Sequence, residues 1–390
     1  MTASTLPLSQ AVVSTPIVGK SLDLRYTKGH QVRRPNDGEV VVKLAWSGIC
    51  SSDAIFSTGP LPGYSGENHI AGHEGIGVVV QSHDPSHLNK AVAIRYMGSY
   101  CNQCLYCTRD IVESCTQQTN FPKQYSGTFQ QYMTVPWQTV NELPAWVLDE
   151  RCSAHISHYA AALCSGSTAL RSVEAASLQP GDLIMVSGIF GAIGHLVGML
   201  AKAVFHAKVI GVDLEWKEAS APVWFDKSKV YDWFVPAQGA GDSSGTIYRD
   251  MLRAACKKAR PGQFSSGVEM PDAVIIATSS ASAYQDLHKC VRDGGSVICV
   301  GAPKGPCSIT IPAREFMERQ LRFQGSMMGG FRDALRMMEY FHGGIILPQV
   351  QRVMLADVPH SLRDISDSKC FGKAVVDISG GSTKPDSEEH

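Results

Sequence analysis

The sequence lacks an excess of charge of either sign: 35 Lys and Arg residues stand against 36 Asp and Glu, for a formal net charge of −1. It therefore gives no electrostatic reason to expect a nucleic acid or an anionic membrane as partner. It also lacks any run approaching the roughly 18 apolar residues that span a bilayer, and it does not begin with a basic patch followed by an apolar stretch. We expect a cytoplasmic protein that acts on a small neutral molecule.

Cysteine, by contrast, is plentiful, with 12 among 390 residues. In a long chain without a recognisable signal peptide, cysteines are more often metal ligands or buried thiols than disulfides. The composition is otherwise ordinary for a globular protein, 44% hydrophobic and 18% charged, and the length suits two domains. The spacing of the cysteines must therefore indicate their role.

The middle of the chain alternates short apolar runs with longer amphipathic stretches, which is the pattern expected of βαβ units. Its predicted strands are continuous and rich in Val and Ile, as expected when helices cover both faces of a parallel sheet. These strands are 182–187, 208–213, 231–235, 272–278 and 296–300. The pattern predicts an α/β fold with a doubly wound, nucleotide-binding domain.

The first 150 residues differ, with many Gly and Pro and short predicted strands such as 39–44, 75–80 and 91–94. They predict an irregular, mainly β domain. After residue 312 one or two helices follow, including 332–341, and then a last strand, 374–378, that we expect to rejoin the first domain. We predict boundaries at 1–165, 166–310 and 311–378, with a disordered tail at 379–390 because it is rich in Gly, Ser and acid.

Four cysteines lie within one polar, turn-rich segment: Cys101, Cys104, Cys107 and Cys115. Four thiolates at this spacing close tetrahedrally around Zn²⁺ and leave no position for a substrate, so the site is predicted to be structural. The polar neighbours disfavour burial of all four thiols, and an intracellular location disfavours two disulfides. An iron–sulfur cluster remains an alternative.

The first predicted strand of the middle segment runs directly into a turn that contains Gly188, Gly191 and Gly194. Glycines let such a turn close tightly and let the backbone approach a pyrophosphate at the start of the next helix. Asp213, nineteen residues after Gly194, ends the following strand, where a carboxylate bonds the ribose of NAD and repels the extra phosphate of NADP. We predict an NAD site; a glycine turn with an ordinary helix-capping Asp is the alternative.

Cys50 lies in the segment SGICSSD and His73 in GHEGIG, 23 residues apart. Either segment alone is weak evidence for a metal site. With the four-cysteine loop, the 188–194 turn, GTFQQY at 127–132 and LCSG at 163–166, they resemble the zinc alcohol dehydrogenases of the medium-chain family, most closely the yeast type. The resemblance covers nearly the whole chain. It implies a Rossmann domain beside a mainly β, GroES-like catalytic domain, and an enzyme that interconverts alcohols with aldehydes or ketones using NAD.

By that resemblance, Cys50, His73 and Cys164 hold a catalytic zinc whose open position lets it act as a Lewis acid during hydride transfer. The family pattern also implies that Asp53 orients the ring of His73, while Glu74 lies near the metal and assists ligand exchange. The chain is thus expected to bind two zinc ions, one catalytic and one structural.

The resemblance assigns three further residues. Ser52 occupies the hydroxyl position that accepts the substrate proton, Thr168 packs near the nicotinamide, and Lys373 stands where relatives direct an Arg toward the cofactor phosphates. Lys keeps the charge but not the bidentate geometry of Arg. A homo-oligomer, either tetramer or dimer, is also implied.

The chain departs from the family at the proton relay and in the pocket. Ile55 stands where relatives often carry a relay His, so the route of the proton is expected to differ. At the positions where yeast-type enzymes crowd the pocket with two Trp and a Met, this chain has Leu61, Tyr96 and Ala302. These smaller side chains predict a substrate bulkier than ethanol.

Two other functions compete with an active zinc dehydrogenase. One is a catalytically weak NAD-binding sensor or scaffold, since fold does not fix function. A binding module has no need of an open zinc site, however, and this disfavours it. The other is a zinc-free quinone or enoyl reductase, which would lack both cysteine sets.

Overall fold

The computed structural model describes residues 6–16, 22–58, 69–149, 154–239, 241–261 and 269–379. Leu61 and the predicted tail from 380 onward lie outside these ranges. The chain divides into two compact units. The first unit comprises the described parts of Met1–Cys164, Val350–Lys369 and Ala374–His390, and the second comprises those of Ser165–Gln349 and Cys370–Lys373.

In the described residues the strands are β1 Ser9–Thr15, β2 Arg25–Gln31, β3 Glu39–Gly48, β4 His69–Ile70, β5 Gly75–Ser82, β6 Ala91–Ile94, β7 Met97–Ser99, β8 Thr119–Asn120, β9 Tyr132–Pro136, β10 Asn141–Glu142, β11 Leu183–Ser187, β12 Lys208–Asp213, β13 Trp233–Pro236, β14 Ala273–Ile276, β15 Ser296–Cys299, β16 Arg322–Gly325, β17 Val350–Met354 and β18 Lys373–Asp377. The α-helices are α1 Ser51–Thr58, α2 Leu105–Thr108, α3 Ile156–Ala161, α4 Ser167–Ala175, α5 Gly194–Ala203, α6 Glu215–Ser220, α7 Thr246–Ala259, α8 Ala313–Glu318, α9 Phe331–His342 and α10 Val358–Ser366. None of these helices is both long and apolar enough to cross a membrane.

The first unit is mainly β. Its largest sheet runs in the order β10-β6-β5-β3-β18-β17, with β9 also paired to β3. Side chains from its strands pack into a buried apolar core that includes Val40, Val42 and Leu44 of β3. Strand β18 pairs antiparallel with the end of β3, next to Cys50, so the end of the described chain supports the segment that carries this cysteine.

The second unit contains a six-stranded parallel sheet in the order β13-β12-β11-β14-β15-β16. The order reverses beside β11, which is the arrangement of a doubly wound dinucleotide-binding sheet. Strands β11, β12 and β14 are almost wholly buried, and this explains their continuous apolar sequences. The fold class predicted from the sequence is confirmed.

The sequence-based domain boundary and the structural division differ for residues 311–349. The structure places this segment in the second unit. Strand β16 completes the parallel sheet there, and α9 packs on α4, with an ion pair of 2.7 Å between Arg336 and Glu174. Strand β16 escapes detection from sequence because it is short and three of its four residues are exposed.

Candidate active site

Three elements of the first unit bring potential metal ligands together. Cys50 lies between β3 and α1, His73 lies between β4 and β5, and Cys164 lies in a π-helical turn at Ala162–Gly166. One donor atom from each of these residues, and one carboxylate oxygen of Glu74, all lie within 4.8 Å of one another. Two sulfurs and an imidazole nitrogen are the donor set of a catalytic zinc with an open position, so the residues fit that metal.

Asp53 fixes two members of this group. Its carboxylate lies 2.6 Å from Nδ1 of His73, and its other oxygen accepts a 2.9 Å hydrogen bond from the backbone N–H of Cys50. Complete burial lowers the pKa of His73, but the Asp53 carboxylate more than offsets this, and the pKa stands well above its ordinary value. Because Nδ1 is held by Asp53, Nε2 is the nitrogen left to bind a metal.

Glu74 reaches the group because Gly48 has no side chain. A Cβ atom at Gly48 would lie 2.5–2.8 Å from the carboxyl atoms of Glu74, closer than real contacts allow. The backbone of Glu74 is also held, since its carbonyl accepts a 3.1 Å hydrogen bond from the N–H of Gly48 and another from Ser47 Oγ. Sequence reasoning missed Gly48; its place two residues before Cys50 was the available signal.

Cys164 is presented by irregular helical backbone. Single π-helical turns inside helices are frequent at functional sites because they change the direction of a side chain. The preceding carbonyl, that of Leu163, accepts a 2.9 Å hydrogen bond from Nε of the buried Arg95. Arg95 therefore holds the turn that carries Cys164, a role that the sequence did not reveal because the two residues are distant along the chain.

Two other predicted positions lie on α1. The hydroxyl of Ser52 lies 3.6 Å from Sγ of Cys50, so it stands beside the potential ligands. Ile55 is 42% exposed and has no polar atom in its side chain. The side chain at position 55 therefore cannot relay a proton.

The four-cysteine loop is a second cluster in the first unit. The sulfurs of Cys101, Cys104, Cys107 and Cys115 lie within 4.8 Å of one another, and the closest pairs are 3.5–3.8 Å apart. A disulfide requires about 2.05 Å, so the cysteines are free thiols in an arrangement that suits one tetrahedral ion. Backbone N–H groups of Gln103 and Cys104 lower the pKa of Cys101 to about 6, whereas desolvation and the neighbouring thiols raise the pKa of Cys107 to about 12.

The glycine turn of the second unit joins β11 to α5. Gly188 has a φ of +82°, and its N–H donates a 2.8 Å hydrogen bond to the carbonyl of Val212 on β12. A Cβ atom at Gly194 would collide with the Gly188 carbonyl. Asp213 at the end of β12 accepts hydrogen bonds from the N–H groups of Phe190 (3.0 Å) and Leu214 (2.8 Å), so its carboxylate stands beside the turn.

Lys373 and Thr168 also belong to the second unit. The segment before Lys373 reaches the glycine turn, because the N–H of Gly372 donates a 2.8 Å hydrogen bond to the carbonyl of Phe190. Lys373 itself is fully buried, and Thr168 is buried on α4. The geometry thus brings Gly188, Asp213 and the segment of Lys373 to one end of the parallel sheet.

Comparisons with known proteins agree on one family. The model "Alcohol dehydrogenase GroES-like domain" matches residues 36–145, and the model "Zinc-binding dehydrogenase" matches residues 192–342. Alcohol dehydrogenase 2 of Emericella nidulans is 28% identical, over 89% of this chain and 92% of the relative. Alcohol dehydrogenase 1 of Caenorhabditis elegans gives the same three figures. The chain belongs to the zinc-dependent alcohol dehydrogenases.

A solved structure supports the same fold. The alcohol dehydrogenase of Aeropyrum pernix superimposes with a TM-score of 0.74, covering 93% of this chain and 99% of that chain at 19% identity. The family, fold class and class of enzyme predicted from the sequence are confirmed, and zinc and NAD are the predicted cofactors of this family. A sensor or scaffold that merely keeps the fold is not favoured.

We predict that Asp53→Asn weakens zinc binding or kcat/KM by about 10- to 100-fold, the usual effect of removing a carboxylate behind a ligating imidazole. Asn keeps the shape of Asp, but its side chain is neutral and has one acceptor oxygen. It therefore cannot accept hydrogen bonds from both His73 and Cys50. Zinc titration and steady-state kinetics measure the effect. Asp84→Asn, an exposed carboxylate that also accepts a backbone hydrogen bond, is the matched control. Wild-type values in Asp53→Asn would show that the carboxylate has no positioning role.

Proposed function

We propose that Cys50, His73 and Cys164 bind the catalytic zinc of an NAD-dependent alcohol dehydrogenase, and that the four-cysteine loop binds a structural zinc. The observation that carries the proposal is the convergence of the three donor atoms with Glu74 inside 4.8 Å. When bound, zinc polarises the oxygen of an alcohol or carbonyl compound, and NAD takes or returns the hydride.

The side chains around the zinc ligands have distinct tasks. Asp53 holds the Nδ1 proton of His73, so a metal binds at Nε2 by displacing the proton that the raised pKa otherwise keeps there. Ser52 supplies the hydroxyl that takes the proton of the substrate alcohol. Its proton leaves by a route other than position 55, since Ile55 cannot carry it. The carboxylate of Glu74, buried beside the ligands, assists exchange at the open position.

We assign the dinucleotide to the glycine turn of the second unit. Gly188, Gly191 and Gly194 allow the backbone to approach the pyrophosphate, and the N-terminus of the ten-residue helix α5 favours its charge. Lys373 contributes a positive charge toward the phosphates, and Thr168 packs near the nicotinamide. Asp213 accepts hydrogen bonds from the adenosine ribose.

Asp213 is expected to make NAD(H) the preferred cofactor, because its carboxylate would face the 2′-phosphate of NADP(H). We predict that Asp213→Asn raises the ratio of kcat/KM for NADP to that for NAD by about 10- to 100-fold, equivalent to roughly 1.4 to 2.8 kcal/mol. Asn keeps one of the two oxygens that accept backbone hydrogen bonds from Phe190 and Leu214 and loses the other, so the thermal stability of the variant is measured beside its kinetics. Asp250→Asn on the exposed side of α7 is the control. A wild-type protein that prefers NADP would contradict the assignment.

We further propose that the substrate is larger than ethanol. Tyr96 and Ala302 are smaller than the Trp and Met of yeast-type relatives at these positions, and Leu61, the third position, lies outside the described residues. An apolar pocket distinguishes substrates by only about 1–3 kcal/mol per methylene, so small alcohols are disfavoured without being excluded. We expect kcat/KM to rise from ethanol to hexanol and benzyl alcohol. Ethanol as the best substrate of this series would disprove the proposal.

We also propose a homo-oligomer, either a dimer or a tetramer. Strand β16 is the last in the order of its sheet among the described residues, and Met317 and Met327 near it are 72% and 62% exposed. Unpaired strand edges beside exposed apolar side chains are places where protein chains associate. Light scattering should give a mass of two or four chains of 42.1 kDa; a mass of one chain would refute this.

A further inference from the structure

A pair of buried hydroxyls joins the segments that carry Cys50 and His73. Ser47 lies near the end of β3, and Thr128 lies in the GTFQQY segment between β8 and β9. Both side chains are fully buried. Their oxygens are 2.8 Å apart, and Oγ of Ser47 lies 2.5 Å from the backbone carbonyl of Glu74, the residue directly after His73. The pair therefore links the strand that leads to one potential zinc ligand with the backbone beside another.

The donors and acceptors of this group form a chain with one direction. The Glu74 carbonyl can only accept, so the 2.5 Å contact requires Ser47 to donate its proton there. Thr128 then donates its own proton to Oγ of Ser47, since its distance to the same carbonyl is 3.3 Å and less favourable. This order uses each proton once, and hydrogen bonds arranged in a chain strengthen one another.

Thr128 also holds the other side of His73. Its N–H donates a 3.1 Å hydrogen bond to the carbonyl of Gly72. Gly72 has a φ of +96°, and a Cβ atom there would lie 2.6 Å from Oγ1 of Thr128, so the absent side chain leaves room for the hydroxyl. The backbone on both sides of His73 is thus tied to Thr128, directly on one side and through Ser47 on the other.

We propose that Ser47 and Thr128 are positioning residues that set the separation between two of the catalytic zinc ligands and thereby raise the affinity for the ion. The inference rests on the proposed function, because it takes Cys50 and His73 as those ligands. Asp53 fixes the ring of His73, whereas the hydroxyl pair fixes the backbone from which the ring projects. Ligands that are already held in place lose less conformational freedom when the ion binds.

The test removes each hydroxyl in turn. Thr128→Val keeps the shape of the side chain and should weaken zinc binding at the site of Cys50, His73 and Cys164, the three-ligand site, by about 2- to 12-fold. This is equivalent to roughly 0.5–1.5 kcal/mol, the usual contribution of one hydrogen bond. Ser47→Ala breaks the bond to the carbonyl itself and should have an effect in the same range. Thr128→Ser retains the hydroxyl and should retain the wild-type affinity.

The two zinc sites are followed separately. Competition of the protein with a metallochromic chelator for zinc gives one dissociation constant for each site, and the constant missing from Cys164→Ser belongs to the three-ligand site. The constant for the four-cysteine loop should be unchanged in every variant. Thermal unfolding is measured beside zinc binding, because loss of a buried hydrogen bond also lowers stability.

The chain offers a matched control for each substitution. Thr139→Val matches Thr128→Val, since Thr139 is a buried threonine of the same unit whose hydroxyl donates a 2.7 Å hydrogen bond to a backbone carbonyl. Ser172→Ala matches Ser47→Ala, since Ser172 is a fully buried serine of the second unit with the same kind of bond, also of 2.7 Å. Both controls lose one buried hydrogen bond, but neither should change a zinc constant.

Zinc binding is measured without turnover, so the outcomes separate this inference from the proposed function. If the wild-type protein binds no zinc at the three-ligand site, the proposed function fails. If it binds both ions and the constants of Thr128→Val and Ser47→Ala equal those of the wild type, the hydroxyl pair does not position the ligands. A control that weakens zinc binding as much as its test variant would also overturn the inference, because the effect would then come from stability alone.

Discussion

Replacing Cys164 by Ser is expected to remove one of two zinc ions and to lower kcat/KM by on the order of a thousandfold or more. Zinc supplies several kcal/mol of charge stabilisation in reactions of this type, and each 1.36 kcal/mol is a factor of ten. A serine hydroxyl is a poor zinc ligand compared with a soft thiolate. The fold should persist, because the backbone of the π-helical turn is held by its own hydrogen bonds and by Arg95.

The matched control is Cys307→Ser, which alters a half-buried thiol of the second unit. It should retain two zinc ions and wild-type kinetics. Elemental analysis, circular dichroism and kcat/KM are measured on both variants. Full turnover in Cys164→Ser would show that the three-ligand site is wrongly assigned.

Replacing Cys104 by Ser is expected to affect stability before activity. Four thiolates fill every coordination position, so the ion would stabilise the fold and take no part in catalysis. In small peptides, structural zinc sites of this type have binding free energies of roughly 10–16 kcal/mol. Losing even a few kcal/mol is severe for a protein whose total stability is about 5–15 kcal/mol. We expect Tm to fall by about 10 °C or more, given roughly 2–4 °C for each kcal/mol in domains of this size.

Thr108→Ala provides the control in the same loop. Its exposed hydroxyl donates a 3.1 Å hydrogen bond to the carbonyl of Leu105 and supplies none of the four sulfurs, so Tm should change little. Zinc content should be one ion in Cys104→Ser and two in Thr108→Ala. An unchanged Tm in Cys104→Ser, with two zinc ions still bound, would exclude a structural zinc in this loop.

Local sequence patterns were sufficient to predict much of the second unit. Strands β11, β12, β14 and β15 are buried on both faces and therefore read as continuous apolar runs, and the glycine turn follows β11 directly. The position of Asp213 at the end of β12 could be predicted because it is set by the length of one βαβ unit. Strand β16 could not, since an exposed edge strand carries no apolar pattern.

The metal clusters were predictable to different degrees. The four cysteines of the loop are close in sequence, so their spacing alone indicates a site. Cys164 lies far along the chain from Cys50 and His73, and only the resemblance to a family joined them. The structure now places their donor atoms together.

Residues that support the site from a distance were the ones that sequence reasoning missed. Gly48 matters because it faces Glu74, and Arg95 because it reaches the carbonyl of Leu163. Each of these roles is a contact between separate elements, and neither composition nor periodicity encodes such a contact.

The most direct test of the central claim is NADH formation from a panel of alcohols by zinc-loaded protein, by protein dialysed against a chelator, and by the dialysed protein after zinc is returned. We expect turnover with two zinc ions bound, loss of turnover when the ion at Cys50, His73 and Cys164 is removed, and recovery on addition of zinc alone. Undiminished turnover without that ion would contradict it, as would the absence of turnover with any alcohol or aldehyde while both ions are bound.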